Sequence, residues 1–296
     1  MIQYVKLANG TEIEAGLAGD PSAPTVMLPV AKKTVYGKEA EALSGWGVDP
    51  ALGEHLIDGL KDTFQVLFFD YEGHLMAHPN PDGLTAEQVA ADLLQIADTM
   101  GVEPFSYYGY SWLALAGLQL AIRTDRLAGL VMGGFPPYEG PYKEMMTVTE
   151  HSYRQAVEQT SVSEPASEYI GDPDAYDWDQ VSVALPPDTA KQFMTLYQSL
   201  TAFDDRLIQE KLSMPRLAFA GAQDTIVYGA NFGGVTVDIA GILRKHVERL
   251  RQLGWEVEIV NGSGMDHTQA MQPAVVLPIL KPWLIRMLKS SERTGS

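Results

Sequence analysis

Tyr107-Tyr108-Gly109-Tyr110-Ser111-Trp112-Leu113-Ala114 is the stretch from which the fold can be read. Phe105 to Gly109 is rich in aromatic side chains and suits a strand. Trp112 to Ile122 is apolar on nearly every side, the composition of a helix buried against a sheet. No loop separates the two, so the chain must turn sharply, and Gly109 tolerates the crowding of such a turn. A serine placed there projects beyond the sheet, with its hydroxyl exposed and its amide at the helix start. By itself the pattern is also explained by a serine that merely caps a buried helix. The placement of Asp and His elsewhere separates the two readings.

Upstream, Ile2 to Leu7 and Thr11 to Leu17 alternate around Asn9-Gly10 and predict a hairpin. Thr25 to Leu28 and Gln65 to Asp70 are apolar runs of the kind buried on both sheet faces. Asp49-Pro50 reads as a helix start, with an apolar stripe through Leu52, Leu56 and Leu60. Thr85 and Gln88 form a capping box ahead of Val89, Leu93, Ile96 and Met100. Downstream of this turn, Leu127 to Met132, Pro215 to Ala220 and Trp255 to Val260 read as strands. A helix at Ile239 to Leu250, stopped by Gly254, precedes the last of them.

Between Tyr138 and Leu200 the alternation of strand and helix stops. This stretch holds 11 acidic and 3 basic residues, and many aromatic ones. We expect it to form a helical cap over residues 138–203, inserted between core segments 1–137 and 204–296. The expected fold class is therefore α/β, with about eight mostly parallel strands flanked by helices and a helical cap insertion.

Composition narrows the function classes. A net charge of −17 opposes binding to nucleic acid and to anionic membranes. The absence of cysteine excludes disulfides, thiolate metal sites and a cysteine nucleophile. No apolar run is long enough to span a bilayer. The start of the chain, Met1-Ile2-Gln3-Tyr4, has no basic and apolar leader, so a cytoplasmic location is expected. Asp172, Asp174, Asp177 and Asp179 lack the glycine and terminal glutamate of a calcium loop and read as a solvated acidic stretch. Neither a metal nor a cofactor is expected.

Active sites in parallel sheets lie beyond the carboxyl ends of the strands. Ser111, Asp224 and His267 each follow such an end. A serine hydroxyl needs a base within reach to act as a nucleophile. Histidine, titrating near neutrality, can take the proton and return it to the leaving group. A carboxylate on the other ring nitrogen fixes the tautomer. Asp204 and Asp205 read instead as surface or hinge charges, and Asp266 is too near His267 in sequence for the required geometry. His55 and His246 lie within predicted helices.

These segments resemble the α/β-hydrolases over roughly residues 2–288. Asp70-Tyr71-Glu72-Gly73-His74, Gly221 to Val227 and Gly264-Met265-Asp266-His267 are similar to family segments. The resemblance implies Ser111 as nucleophile, Asp224 as orienting acid and His267 as base. It also implies an oxyanion hole from the amide of Trp112 and an amide after the third strand. Pro29 has no N–H, so Val30 or Ala31 must supply that donor, and Ala31 is preferred. Leu113 departs from the family's second glycine. Candidate substrate contacts are Val30, His74, His78, Tyr110, Tyr138 and Trp178.

The expected activity is serine-dependent cleavage of an ester or lactone. Tyr36-Gly37, Gly47 to Pro50 and Asp70 to His74 are similar to bacterial esterases that open macrolide lactones, which would imply a bulky cationic substrate and antibiotic resistance. Ser111-Trp112 is similar to proline iminopeptidases, which leaves an amidase open. Pro29 and Leu113 leave open a catalytically silent binding protein.

Overall fold

The computed structural model describes residues 1–160 and 185–294, with side chains to residue 287. The hairpin forms from β1 (Ile2–Lys6) and β2 (Glu12–Ala18), with Gly10 at φ 88° in its turn. β3 (Thr25–Leu28) follows, then α1 (Lys38–Gly45), α2 (Leu52–Leu60) and β4 (Gln65–Phe69). Next come α3 (Tyr71–Ala77), α4 (Ala86–Thr99), β5 (Phe105–Tyr110), α5 (Trp112–Ala121) and β6 (Leu127–Gly133). Two long helices, α6 (Tyr142–Thr160) and α7 (Pro187–Ser199), precede β7 (Arg216–Gly221). β8 (Thr225–Val227), β9 (Thr236–Asp238), α8 (Ile239–Gln252), β10 (Trp255–Val260), α9 (His267–Ala270) and α10 (Pro273–Thr294) complete the chain.

One eight-stranded sheet runs in the order β1-β2-β4-β3-β5-β6-β7-β10. Every pair from β4 to β10 is parallel, and only the β1–β2 and β2–β4 pairs are antiparallel. Helices α4, α5 and α8 cover one face, while α2 and α10 cover the other. β5 sits between them with every residue buried. Its side chains alternate, with Phe105 and Tyr107 facing α5 and Tyr108 and Tyr110 facing the α10 side.

Several elements depart from the sequence expectation for identifiable reasons. Helix α2 begins at Leu52 rather than at Pro50, because the Asp49 carboxylate accepts from Ala51 N at 2.9 Å and forms a turn before the helix. Helix α3 forms through Tyr71-Glu72-Gly73-His74 because the Asp70 carboxylate caps it, accepting from Gly73 N at 2.8 Å. In α4 only half of the capping box closes. Thr85 accepts from Gln88 N, but the Gln88 amide donates to Asp92 at 2.8 Å. β8 and β9 pair as a separate antiparallel ribbon. Asp205 is buried rather than exposed, 2% accessible, and its carboxylate accepts from Glu139 N at 2.8 Å and Gly140 N at 2.9 Å. It ties together the two ends of the segment that carries α6 and α7. Among the described residues no helix is long and apolar enough to cross a membrane.

Candidate active site

The turn between β5 and α5 is a single residue. Ser111 holds φ 56° and ψ −131°, a conformation that a non-glycine residue adopts at a cost of about 1–3 kcal/mol. Its N–H donates to Gly133 O at 2.8 Å, which ties the turn to the end of β6. A Cβ at Gly109 would meet the Leu113 carbonyl and lie 2.9 Å from Ala114 N, so glycine is required there. Leu113 itself is buried in the core. The close approach of α5 to β5 occurs one turn later, where Gly117 faces the Tyr107 ring. The Tyr107 hydroxyl then donates to Leu113 O at 2.7 Å.

Asp224 lies past the end of β7, and His267 opens α9 after the loop that follows β10. The two loops are joined by Gln223 N, which donates to Met265 O at 2.9 Å. The Asp224 side chain is fully buried, and its oxygens lie 2.9 and 3.1 Å from His267 Nδ1. A buried carboxylate needs a donor, so Nδ1 carries the proton and Nε2 presents its lone pair. Asp266 caps α9 instead, accepting from Gln269 N at 2.8 Å. The Tyr110 hydroxyl donates to the His267 carbonyl at 2.8 Å, and their rings lie 5.0 Å apart.

Ser111 and His267 line one chamber of about 150 Å³. Its roof includes Met145 and Thr149 from α6 and Phe193 and Tyr197 from α7. Tyr228 and Ile226 close it from the β8 side. Among the described residues its lining contains no Asp, Glu, Lys or Arg. The Trp112 ring joins this wall, 5.4 Å from Phe193 in an edge-on arrangement. The Trp112 amide is the first of α5 and has no acceptor within its helix.

The segment after β3 is held by Tyr71 N, which donates to Pro29 O at 3.3 Å, and by a bridge between Val30 and Asp70. Lys32 N donates to Val30 O at 2.9 Å, closing a tight turn centred on Ala31. Glu72 links this segment to the elbow. It accepts from Lys32 Nζ and from Trp112 Nε1, each at 3.2 Å.

The other sequence candidates fall elsewhere. Val30 and Ala31 are not in the chamber lining. His74 is buried against Thr11 Oγ1, 2.9 Å from Nε2, and its ring lies 5.1 Å from His78. Burial, aided by His78, holds the His74 pKa below its ordinary value. Tyr138 packs on His246, with ring centroids 5.1 Å apart. Tyr110 supports His267 from behind rather than lining the chamber. Trp178 and the acidic stretch Asp172 to Asp179 lie outside the described residues. Sequence reading gave no role to Glu72, although it lies within the Asp70 to His74 segment, and did not single out Met145 or Tyr228, which belong to no motif.

No family model matches the chain. Among curated proteins, RutD of Stutzerimonas stutzeri (strain A1501), a candidate carbamate hydrolase, is 28% identical over 109 residues, 36% of each chain. The 1H-3-hydroxy-4-oxoquinoline 2,4-dioxygenase of Pseudomonas putida is 31% identical over 97 residues, covering 33% of this chain and 31% of the relative. The chain thus matches about a third of the length of these relatives. Solved structures align over nearly the whole chain. The enol-lactonase from Burkholderia xenovorans LB400 gives a TM-score of 0.58 at 17% identity, covering 96% of this chain and 100% of its own. A thermophilic esterase from Thermogutta terrifontis gives 0.55 at 17% identity, covering 97% and 99%. With its strand order and elbow, the chain has the α/β-hydrolase fold.

Proposed function

We propose that the protein is a serine hydrolase that cleaves a neutral carboxylic ester or lactone through an acyl-Ser111 intermediate. The supporting observation is the buried Asp224–His267 contact beside a strained elbow serine, in one chamber. His267 Nε2 takes the Ser111 proton as Oγ attacks the substrate carbonyl. The Trp112 amide stabilises the resulting oxyanion. His267 then returns the proton to the leaving alkoxide. Water, deprotonated by the same nitrogen, attacks the acyl-enzyme and releases the acid with Ser111 restored. Helices α6 and α7, the described part of residues 138–203, act as a helical cap over the core segments 1–137 and 204–296. Support for this comes from Met145, Thr149, Phe193 and Tyr197, which roof the chamber.

The esterase and lactonase likenesses agree with this chemistry. The described lining favours a small neutral acyl group. Its volume of about 150 Å³ is below the roughly 300–1,000 Å³ of drug-sized pockets. A bulky cationic macrolide finds no carboxylate in that lining, nor does the free amine of an iminopeptidase substrate. Intact mass after a fluorophosphonate probe tests the reading. We expect one adduct on the wild type and none on Ser111→Ala. Asp224→Asn should react about 10⁴-fold more slowly, because an amide no longer fixes the Nδ1–H tautomer. An unmodified wild type would reject the hydrolase and promote the silent binding protein.

A further inference from the structure

Most polar hydrogens of the chamber are already committed. The Thr149 hydroxyl donates within its own helix, to Met145 O at 2.9 Å and Met146 O at 3.1 Å. The Trp112 indole N–H goes to Glu72 and the His267 Nδ1–H to Asp224. Tyr228 differs. Its backbone is fixed by donation to Val235 O at 2.9 Å, and its ring meets Phe232 edge-on at 6.2 Å. Its hydroxyl reaches, among the described residues, only the Met145 sulfur at 4.0 Å. A thioether is a weak acceptor, and 4.0 Å is at the limit of contact. Burial and the nearby Asp224 charge hold the phenol protonated, so it is a donor. Tyr197, 3% accessible, lines the chamber beside it.

A rigid, partly buried donor without a good acceptor is costly in an empty site and useful in an occupied one. A site of this kind discriminates strongly against a ligand that lacks the matching group, because that ligand leaves the donor unpaired. The oxyanion does not need Tyr228 in the mechanism above.

We propose that Tyr228 is a specificity residue whose hydroxyl donates to an acceptor oxygen several bonds from the scissile carbonyl. The preferred substrates are then esters or lactones whose short neutral acyl chain carries a keto or ether oxygen, rather than plain alkyl esters. The apolar lining holds the carbon chain and Tyr228 reads the oxygen. This inference rests on the serine hydrolase reading and adds the substrate class to it.

The test compares kcat/KM for p-nitrophenyl 4-oxopentanoate and p-nitrophenyl pentanoate in the wild type, Tyr228→Phe and Ser111→Ala. The quantity read is the ratio of oxo to plain ester, compared between wild type and Tyr228→Phe so that intrinsic ester reactivity cancels. Loss of one buried hydrogen bond should lower that ratio about tenfold in Tyr228→Phe. A ratio unchanged within twofold would overturn the assignment, even with Ser111-dependent turnover of both esters. So would an equal loss on both esters at an unchanged melting temperature, since Tyr228 would then act without reading the substrate. If the wild type turns over neither ester and takes no fluorophosphonate adduct, the hydrolase reading itself fails, and this inference with it.

Discussion

Gly134 offers the sharpest test of how His267 is placed. It holds φ +63°, and a Cβ there would lie 2.7 Å from Tyr110 Cε1 and Cζ and 2.9 Å from His267 Cε1. Carbon atoms in contact prefer about 3.5–4.0 Å. In Gly134→Ala either ring must therefore give way by roughly 0.6–1.3 Å. Tyr110 is buried and bonded to the His267 carbonyl, so both rings move together. A misplacement of about 1 Å in a reacting group costs on the order of 10²-fold. We expect kcat on a p-nitrophenyl ester to fall by that factor. The left-handed backbone adds about 1–2 kcal/mol of strain. Gly101→Ala isolates the strain: φ is +68°, nothing lies within 4 Å of its Cβ, and it sits at the far end of α4. Both variants should lose stability in a thermal melt, but only Gly134→Ala should lose kcat. If Gly134→Ala kept kcat within threefold of Gly101→Ala, the proposed role of the His267 position would be refuted.

Two further outcomes concern stability. His74 has a folded-state pKa below the ordinary 6.5, from burial and from His78. The unfolded chain binds more protons in the window between the two values, so the stability His74 contributes is full above 6.5 and is lost as pH falls below it. The melting temperature of the wild type should therefore drop more between pH 7 and pH 5 than that of His74→Gln; equal drops would contradict this. Asp205→Ala leaves the Glu139 and Gly140 amides without their carboxylate, at about 1–3 kcal/mol for each buried donor. Urea unfolding should show a loss of about 2–6 kcal/mol, and a loss under 1 kcal/mol would mean that water replaces the carboxylate.

The parts of the fold legible in the sequence are those with a local physical cause. Gly109-Tyr110-Ser111 followed at once by an apolar run leaves the chain no alternative to a sharp turn. Thr25 to Leu28 is an apolar run, Trp255 to Val260 alternates apolar residues with Glu256 and Glu258, both are bounded by turn residues, and each forms a strand over those residues. Helix α3 was hidden because Gly73 weakens its propensity, whereas the cap that starts it is the side chain of Asp70. β8 and β9 are three residues each, too short to show alternation. The chamber was hidden for another reason. Met145, Phe193 and Tyr228 meet only because α6 and α7 fold back over the sheet. His74 and His78 misled for the converse reason: their place near the elbow in sequence pattern says nothing of which way α3 turns. It turns His74 towards Thr11 in the hairpin.

Leu113 shows how a departure from a motif is absorbed without loss of the geometry the motif serves. A glycine after the nucleophile is useful where a helix must come close to the strand behind it. Here the strand presents Tyr107 towards the helix, and the space is cleared at Gly117, one turn on. A Cβ there would press into the Tyr107 ring, so the requirement for glycine has moved along the helix rather than vanished. Tyr107 then uses its hydroxyl to hold the Leu113 carbonyl at 2.7 Å. Leu113 contributes an apolar side chain to the core where glycine would contribute none. The elbow keeps its sharp turn because Gly109 still takes the Leu113 backbone at close range. Trp112, between them, is fastened from both sides: Glu72 holds its indole N–H and Phe193 its ring. The amide proposed to face the oxyanion therefore belongs to a residue bound at once to the sheet end and to the helices above it.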